Sequence, residues 1–328
     1  PIGSVLITKN FVIPAWVGYD IGCGLIAVKL SAQDKKINLI ELITKNADKT
    51  YSAVNKAVPM GMGETNTSEA ISEETKKEFA QLINDFSKNL YNKEILNYIK
   101  NASIKHLGTL GGGNHFIELS HHNNELWLVI HSGSRGIGHK VAQKYMIKAA
   151  GSENNYEKTF PLSIDSQLGK EYLNVLSFGL RFALLNRIEI ANRVIMAVEN
   201  VLKIKLSSKL WTNKNHNHAI LEKSQYIHRK GATPAKKGER GIIPANMRDG
   251  SYLVEGKGNP KFLYSSSHGA GRALSRTQAK KEISMEEFKK TMEGITGTIS
   301  QKTLDEAPRA YKDINKVMEA QEDSIKIL

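Results

Sequence analysis

Apolar and polar positions along the 328-residue chain change their period several times. Residues 1–45 carry IGSVLITKNFVIPAWVGYDIGCGLIAVKL, rich in strand formers and glycine. They predict two or three strands joined by tight turns. PMGMGET at 59–65 reads as a glycine turn region. After Ser72 come acids and then KKEFAQLINDFSKNLYNKEILNYI, with helical spacing and a predicted break near 89–93. GTLGGGNHFIELS at 108–120 predicts a glycine turn feeding a strand. ELWLVIHSGSRGIGHKVAQKYMIKA at 125–149 predicts strand, glycine-rich loop and helix. Residues 165–206 hold a long helical pattern, which predicts two helices meeting in the region from Gly179 to Asn186. The chain turns strand-like and glycine-rich from 213 to 276, and 284–328 is expected to be mostly helical apart from a turn around Pro308. No repeat, low-complexity tract or flexible linker interrupts this order. The expectation is one α+β domain over residues 1–328.

Composition narrows the class. Hydrophobic residues make up 40% and charged residues 24%, enough for a sizeable core and against bulk disorder. The formal net charge is +13, which attracts polyanions without choosing between RNA and DNA; a merely solubilising surface is the plainer reading. A single cysteine, Cys23, rules out an internal disulfide and disfavours a secreted, stapled protein. No apolar run has the length of a membrane span and no signal peptide is visible; a cytoplasmic location is expected. The chain opens on PIGSVL without an initiator Met, as a processed chain or a fragment does.

Five short motifs place polar groups at strand ends or in glycine loops: DIGC at 20–23, GGGNHFIE at 111–118, HSGSRG at 131–136, NHNH at 215–218 and SSSHGAGR at 265–272. Asp20 and Cys23 flank a glycine turn and can face one point. A thiolate can bridge two cations, and imidazole with carboxylate suits Mn²⁺, Zn²⁺, Fe²⁺ or Co²⁺. Each residue also has an ordinary reading. Cys23 serves as a small buried hydrophobe, Asp20 as a turn cap, and His115 as a satisfied core histidine. His131 opens a loop that offers backbone N–H groups and Arg135 to an anion, although HSGSRG matches neither standard phosphate-loop pattern. His216 and His218 stand two apart, on one side of a strand. His268, among serines and glycines with Arg272 and Arg276 downstream, reads as base, ligand, nucleophile or turn residue.

Taken in order, GGGNHFIE, HSGSRGIG, SSSHGAGR and the tail DEAPRAYKDI, with the Asp-x-x-Cys of VGYDIGCG, resemble the RtcB family of GTP-dependent RNA ligases over nearly the whole chain. The resemblance implies two Mn²⁺ ions and GTP as cosubstrate. It implies Asp20, Cys23, His115, His131 and His216 as ligands, Cys23 bridging Asp20 and His115 on one ion to His131 and His216 on the other. The family's ligand histidine precedes an Asn, which selects His216 over His218. His268 falls on the histidine that becomes guanylylated. Asn114, Glu118, Ser251, Ala270, Gly271 and Tyr311 match guanylate contacts, and Glu118 suits the N–H edge of guanine. Arg135, Arg187, Arg272 and Arg276 are candidate phosphate contacts.

The implied reaction joins RNA bearing a 3′-phosphate or 2′,3′-cyclic phosphate to a 5′-hydroxyl end. It runs through histidine–GMP and an activated RNA end, in tRNA processing or RNA repair. Other readings of the same residues are a metal-dependent RNA-end phosphodiesterase, a non-catalytic RNA-end-binding protein and a purely structural basic protein. Two departures from the family pattern stand out. PANMRD at 244–249 replaces the common PGSMG, so Asn246 stands where a serine is expected and Arg248 and Asp249 enter the loop. The family's Pro-Asp-x-His segment is expected just before Pro1, and its terminal Lys-Gly, whose lysine contacts guanylate, just beyond Leu328.

Overall fold

The computed structural model describes residues 2–61, 63–66, 70–88 and 93–328. Strand Gly24–Ala32 is apolar at successive positions, as a strand covered on both faces must be. It forms the inside of a four-stranded antiparallel sheet in the order Phe116–His122, Glu125–Ser132, Gly24–Ala32, Leu206–Asn215. Side-chain alternation divides the strand between two cores. Ile26, Val28 and Leu30, with Leu126, Leu128 and Ile130 of the next strand, pack on Ile190, Val194 and Val198 of helix Gln167–Leu202. Leu25, Ala27 and Val129 face the other way, onto Ile242. Ile242 belongs to the hairpin Arg240–Pro244 and Ser251–Gly256. Each such leucine, isoleucine or valine contributes about 1.5–3 kcal/mol when fully buried.

A further core gathers helices Glu73–Lys88, Lys93–His106 and Arg135–Ala150 around the first half of the long helix, through Phe79, Ile99, Tyr145 and Phe182. The predicted break near 89–93 falls mainly on residues 89–92, which lie outside the described residues, as does Met62 of the predicted turn at 59–65. Strands Ser4–Thr8, Phe11–Val12 and Gly24–Ala32 match the strand-rich start. Between the last two, Pro14–Val17 closes a helical turn with Pro14 at its first position. Helix Leu39–Lys45 occupies the end of that region, capped by the Asn38 side chain, which accepts from the Glu41 N–H.

Two expectations are corrected. Residues 165–206 hold one 36-residue helix, Gln167–Leu202, rather than two. Gly179 provides close approach, not a break: a Cβ there would lie 2.8 Å from Cγ2 of Ile21. Asn186 is polar because it joins four groups. Its Oδ1 accepts from Gly108 N, and its Nδ2 faces the Thr109 carbonyl, Ser132 Oγ and the Gly133 carbonyl. The tail is not mostly helical either. It holds helices Met285–Thr291 and Ile314–Glu319, 3₁₀ turns at Leu304–Glu306 and Pro308–Ala310, and strand Ile325–Ile327. Its helix-forming charges are overridden by tertiary backbone bonds: Ala273 N donates to the Ala310 carbonyl and Lys312 N to that of Gly271.

Candidate metal and nucleotide centre

The sheet delivers four of the motifs to one edge. Antiparallel pairing puts the starts of Phe116–His122 and Gly24–Ala32 beside the ends of Glu125–Ser132 and Leu206–Asn215. His115 and Cys23 immediately precede their strands, His131 is the next-to-last residue of its strand, and His216 directly follows Asn215. His216 N donates to the Cys23 carbonyl at 2.7 Å, continuing the ladder past the strand end. Gly231 N donates in turn to the His216 carbonyl. The chain then enters strand Ala232–Pro234, which pairs antiparallel with Ser265–Ser267, so that its first residue, Ala232, lies opposite Ser267, the residue before His268.

The side chains converge. Cys23 Sγ lies 3.4 Å from His115 Nε2 and 3.1 Å from His131 Nε2. His115 Nε2 is 3.1 Å from Asp20 Oδ2, and His131 Nε2 is 3.3 Å from His216 Nε2. The His268 ring stands edge-on to His216, with centroids 4.8 Å apart. Among the described residues, Cys23, His115 and His131 bring their ligand atoms within 4.8 Å of one another. His218, by contrast, is held by Arg229 Nη1 at 3.1 Å.

The ring orientations of His115 and His131 follow from the acceptors. His115 Nδ1 is 2.9 Å from the Leu110 carbonyl, and His131 Nδ1 is 2.9 Å from the Asn114 carbonyl. A carbonyl only accepts, so Nδ1 carries a proton in both rings and Nε2 is the nitrogen turned toward the cluster. Asp20 Oδ1 and His216 Nδ1 are enclosed without a hydrogen-bond partner. Carboxylate, thiol and three imidazoles thus face one another with fewer protons than acceptors. This donor set fits a transition-metal cation.

Burial, and then the charges of neighbouring histidines, lower the basicity of His131 and His216 far below the usual imidazole range. His268 is lowered by burial, partly offset by a hydrogen bond to the Gly231 backbone. All three are neutral at pH 7. Burial and then the Asp20 charge raise the Cys23 thiol. For Asp20, burial works against ionisation, but the His115 hydrogen bond and charge prevail and its carboxyl is lowered.

The loop around Asp20 is closely fitted. A Cβ on Gly133 would lie 2.3 Å from Asp20 Oδ1, so the HSGSRG loop needs glycine there for this approach. Asn217, which the sequence reading used only to mark His216, ties two loops together. Its Nδ2 donates to the Asp20 carbonyl at 3.1 Å and its Oδ1 accepts from Gly231 N at 2.7 Å, tying the Asp20 loop to the turn before Ala232. A polar side chain between the two histidines of NHNH was the available signal.

The residues matched to guanylate contacts fall on four segments. Glu118 accepts from Ser251 Oγ at 2.9 Å and from Ser120 Oγ at 2.8 Å. Burial raises its carboxyl and both hydroxyls oppose that rise. The Ala270 N–H donates to the Pro244 carbonyl at 2.9 Å. Gly271 takes φ +74°, and Arg272 bridges to Tyr311, whose hydroxyl donates to Glu306. The Asn114 side chain is exposed. Asn246 is committed within its own turn: Oδ1 accepts from Arg248 N and Asp249 N, while Nδ2 donates to Asp249.

The four arginines differ. Arg135 lies against the first glycine of GGGNH, where a Cβ on Gly111 would be 1.9 Å from its Nη1, and it donates to Thr109 Oγ1 at 3.1 Å. Arg272 stacks over Tyr311 and donates to the Leu274 and Asp305 carbonyls. Arg276 pairs with Asp305 and Glu306 and is half exposed. Arg187 is fully buried, and its donors are taken by protein oxygens.

The model of the family described as "tRNA-splicing ligase RtcB" matches residues 1–327. RNA-splicing ligase RtcB of Escherichia coli strain K12 is 33% identical over an alignment spanning 100% of this chain and 84% of the relative. The tRNA-splicing ligase RtcB of Nanoarchaeum equitans is 30% identical, with 97% of this chain and 80% of the relative covered. That of Methanococcus maripaludis is 29% identical, over 95% and 78%. With donor cluster, edge-on histidine and sequence in agreement, the chain belongs to the RtcB family of RNA ligases.

Proposed function

We propose that this RNA ligase joins ends bearing a 3′-phosphate or 2′,3′-cyclic phosphate to 5′-hydroxyl ends, with GTP, through guanylate carried on His268. Residues 1–328 are proposed to act as one catalytic domain. The observation that carries this reading is the place of His268: a half-buried, neutral imidazole edge-on to His216, at the end of a five-residue donor cluster. Asp20, Cys23 and His115 are the proposed ligands of one Mn²⁺ ion; Cys23, His131 and His216 are those of a second. Ions held there would neutralise phosphate charge and lower the pKa of an attacking hydroxyl.

His268 supplies the nucleophile. Its Nδ1 edge faces Gly231, and donation of Nδ1–H to that backbone leaves the Nε2 lone pair for the α-phosphorus of GTP. A P–N bond forms, the α–β bridging P–O bond breaks, and pyrophosphate departs. An oxygen of the RNA 3′-phosphate then attacks the same phosphorus; the P–N bond breaks and the electron pair returns to Nε2. The 5′-hydroxyl oxygen finally attacks the terminal RNA phosphorus, GMP leaves, and the hydroxyl proton passes to solvent. A cyclic end is first opened by water.

Glu118 is assigned to the guanine N–H edge, and Asn114, Ser251, Ala270, Gly271 and Tyr311 to the remaining guanylate contacts. Arg135, Arg272 and Arg276 are assigned to phosphate. The burial of Arg187 argues against a phosphate role for it. A cytoplasmic setting keeps Cys23 reduced, and among the described residues no helix is long and apolar enough to cross a membrane. The test is joining of a 3′-phosphate RNA to a 5′-hydroxyl RNA with GTP and Mn²⁺. Product from these ends, and none from 3′-hydroxyl plus 5′-phosphate ends, supports the proposal. Metal-dependent hydrolysis of the ends without joining makes the protein a phosphodiesterase instead.

A further inference from the structure

The long helix carries a cation into the interior. Arg187 has no exposed surface and is among the largest fully buried side chains. An unpaired buried charge is costly, so a retained one must be met by oxygens or counter-charge. Arg187 is met by four oxygens. Nε donates to Asn213 Oδ1 and Nη2 to Asn215 Oδ1, both at 2.7 Å. Nη1 donates to the Gly22 carbonyl at 3.0 Å and to the Ser132 carbonyl at 2.8 Å.

The places of those oxygens matter more than their number. Gly22 immediately precedes Cys23, and Ser132 immediately follows His131. Asn213 and Asn215 lie on the strand that leads directly into His216. The two asparagines are themselves fixed to the same helix: Asn213 Nδ2 donates to the Leu184 carbonyl and Asn215 Nδ2 to that of Leu180. One planar guanidinium therefore touches the three chain segments that present Cys23, His131 and His216.

We propose that Arg187 is the positioning residue of the metal centre: its guanidinium holds the backbones beside Cys23, His131 and His216 at ligating separation. The inference rests on the metal-site reading above. It assigns Arg187 to the assembly of that site and removes it from contact with RNA or nucleotide. A lysine there would keep the charge but lose the fork that reaches three segments at once.

The experiment is titration of the metal-free, full-length protein with Co²⁺, followed by thiolate-to-cobalt charge-transfer absorption, and with Mn²⁺ by calorimetry. Wild type, Cys23→Ser, Arg187→Lys, Arg187→Met and Asn215→Ala are compared, with circular dichroism reporting the fold. Wild type should show the band and Cys23→Ser should not; absence of the band in wild type removes the metal-site reading itself. Given the band, Arg187→Met should bind metal ~10–100-fold more weakly, the range for residues that orient ligands. Arg187→Lys should fall between. Asn215→Ala, which removes one anchor and keeps the arginine, covers the case in which Arg187 variants do not fold, and should weaken binding several-fold. Wild-type affinity and band in a folded Arg187→Met, or in Asn215→Ala if neither Arg187 variant folds, overturn the proposal.

Discussion

At the scale of single residues, the centre depends on which proton sits where. Carbonyl acceptors at Leu110 and Asn114 turn Nε2 of His115 and His131 inward, a relation that becomes visible only once the strands are paired. Asp20, Cys23, His115 and His131 sit in glycine-containing motifs and His216 in NHNH, and it was the resemblance of the ordered motifs, not the residues singly, that grouped them as expected donors. Asn217 and Arg187 were less legible, since their partners lie on other segments and are backbone atoms in part. Glu118 gives a pH prediction. Burial raises its carboxyl above the usual range, and the proposed contact with the guanine N–H edge requires the ionised form. GTP affinity should therefore be full at pH 8 and fall as pH drops through that raised value. In the free protein the sign for stability is opposite, because ionising Glu118 at high pH works against folding. Glu118→Gln should weaken GTP binding at pH 8 by ~10-fold or more, about the 1.5–3 kcal/mol of hydrogen bonds to a charged group, flatten the pH profile between pH 5 and 8, and leave the thermal midpoint at pH 8 unchanged or higher. Calorimetry and thermal melts check both; an unchanged GTP profile removes Glu118 from guanine recognition.

At the scale of elements, the long helix is the main departure from pattern reading. Gly179 and Asn186 look like interruptions in a linear pattern, yet each answers to a neighbour outside the helix: Ile21 for the first, the 108–109 and 132–133 backbone for the second. The two accounts predict opposite signs. In an exposed helix, Gly→Ala stabilises by about 1 kcal/mol. Gly179→Ala should instead destabilise by ~1–3 kcal/mol, because the added carbon overlaps Ile21 in a packed core. Since Ile21 adjoins Asp20, metal affinity should fall as well. Chemical denaturation and metal titration read the two effects, and a stabilised Gly179→Ala would restore the view of a weak helix junction. The tail departs for a related reason. Its charges favour helix locally, but the segment 304–312 is held in 3₁₀ and extended form against the residues that follow His268.

At the scale of the molecule, the fold's contribution is convergence. Motifs separated by up to 248 positions, from Asp20 to His268, meet at one sheet edge because two strands of the four-stranded sheet begin and two end there, and the pair Ala232–Pro234 and Ser265–Ser267 brings His268 beside it. On the proposed function, the basic balance of +13 serves RNA attraction. Each phosphate held by a Lys or Arg contributes a salt slope of ~0.7 on single strands. With at least three such contacts, RNA affinity should drop ~10-fold or more between 50 and 200 mM salt, measured by fluorescence anisotropy, while the pH profile of GTP binding keeps its shape. Salt-independent RNA affinity would confine recognition to the reactive ends.

The central claim is that His268 carries guanylate, and covalent labelling of the full-length protein with α-³²P GTP and Mn²⁺ tests it most directly. The account predicts an acid-labile, alkali-stable label on wild type, its transfer to 3′-phosphate RNA on chase, and no label on folded, metal-binding His268→Ala. A label that survives the loss of His268, or RNA joining by wild type with no labelled protein at any time, would contradict it.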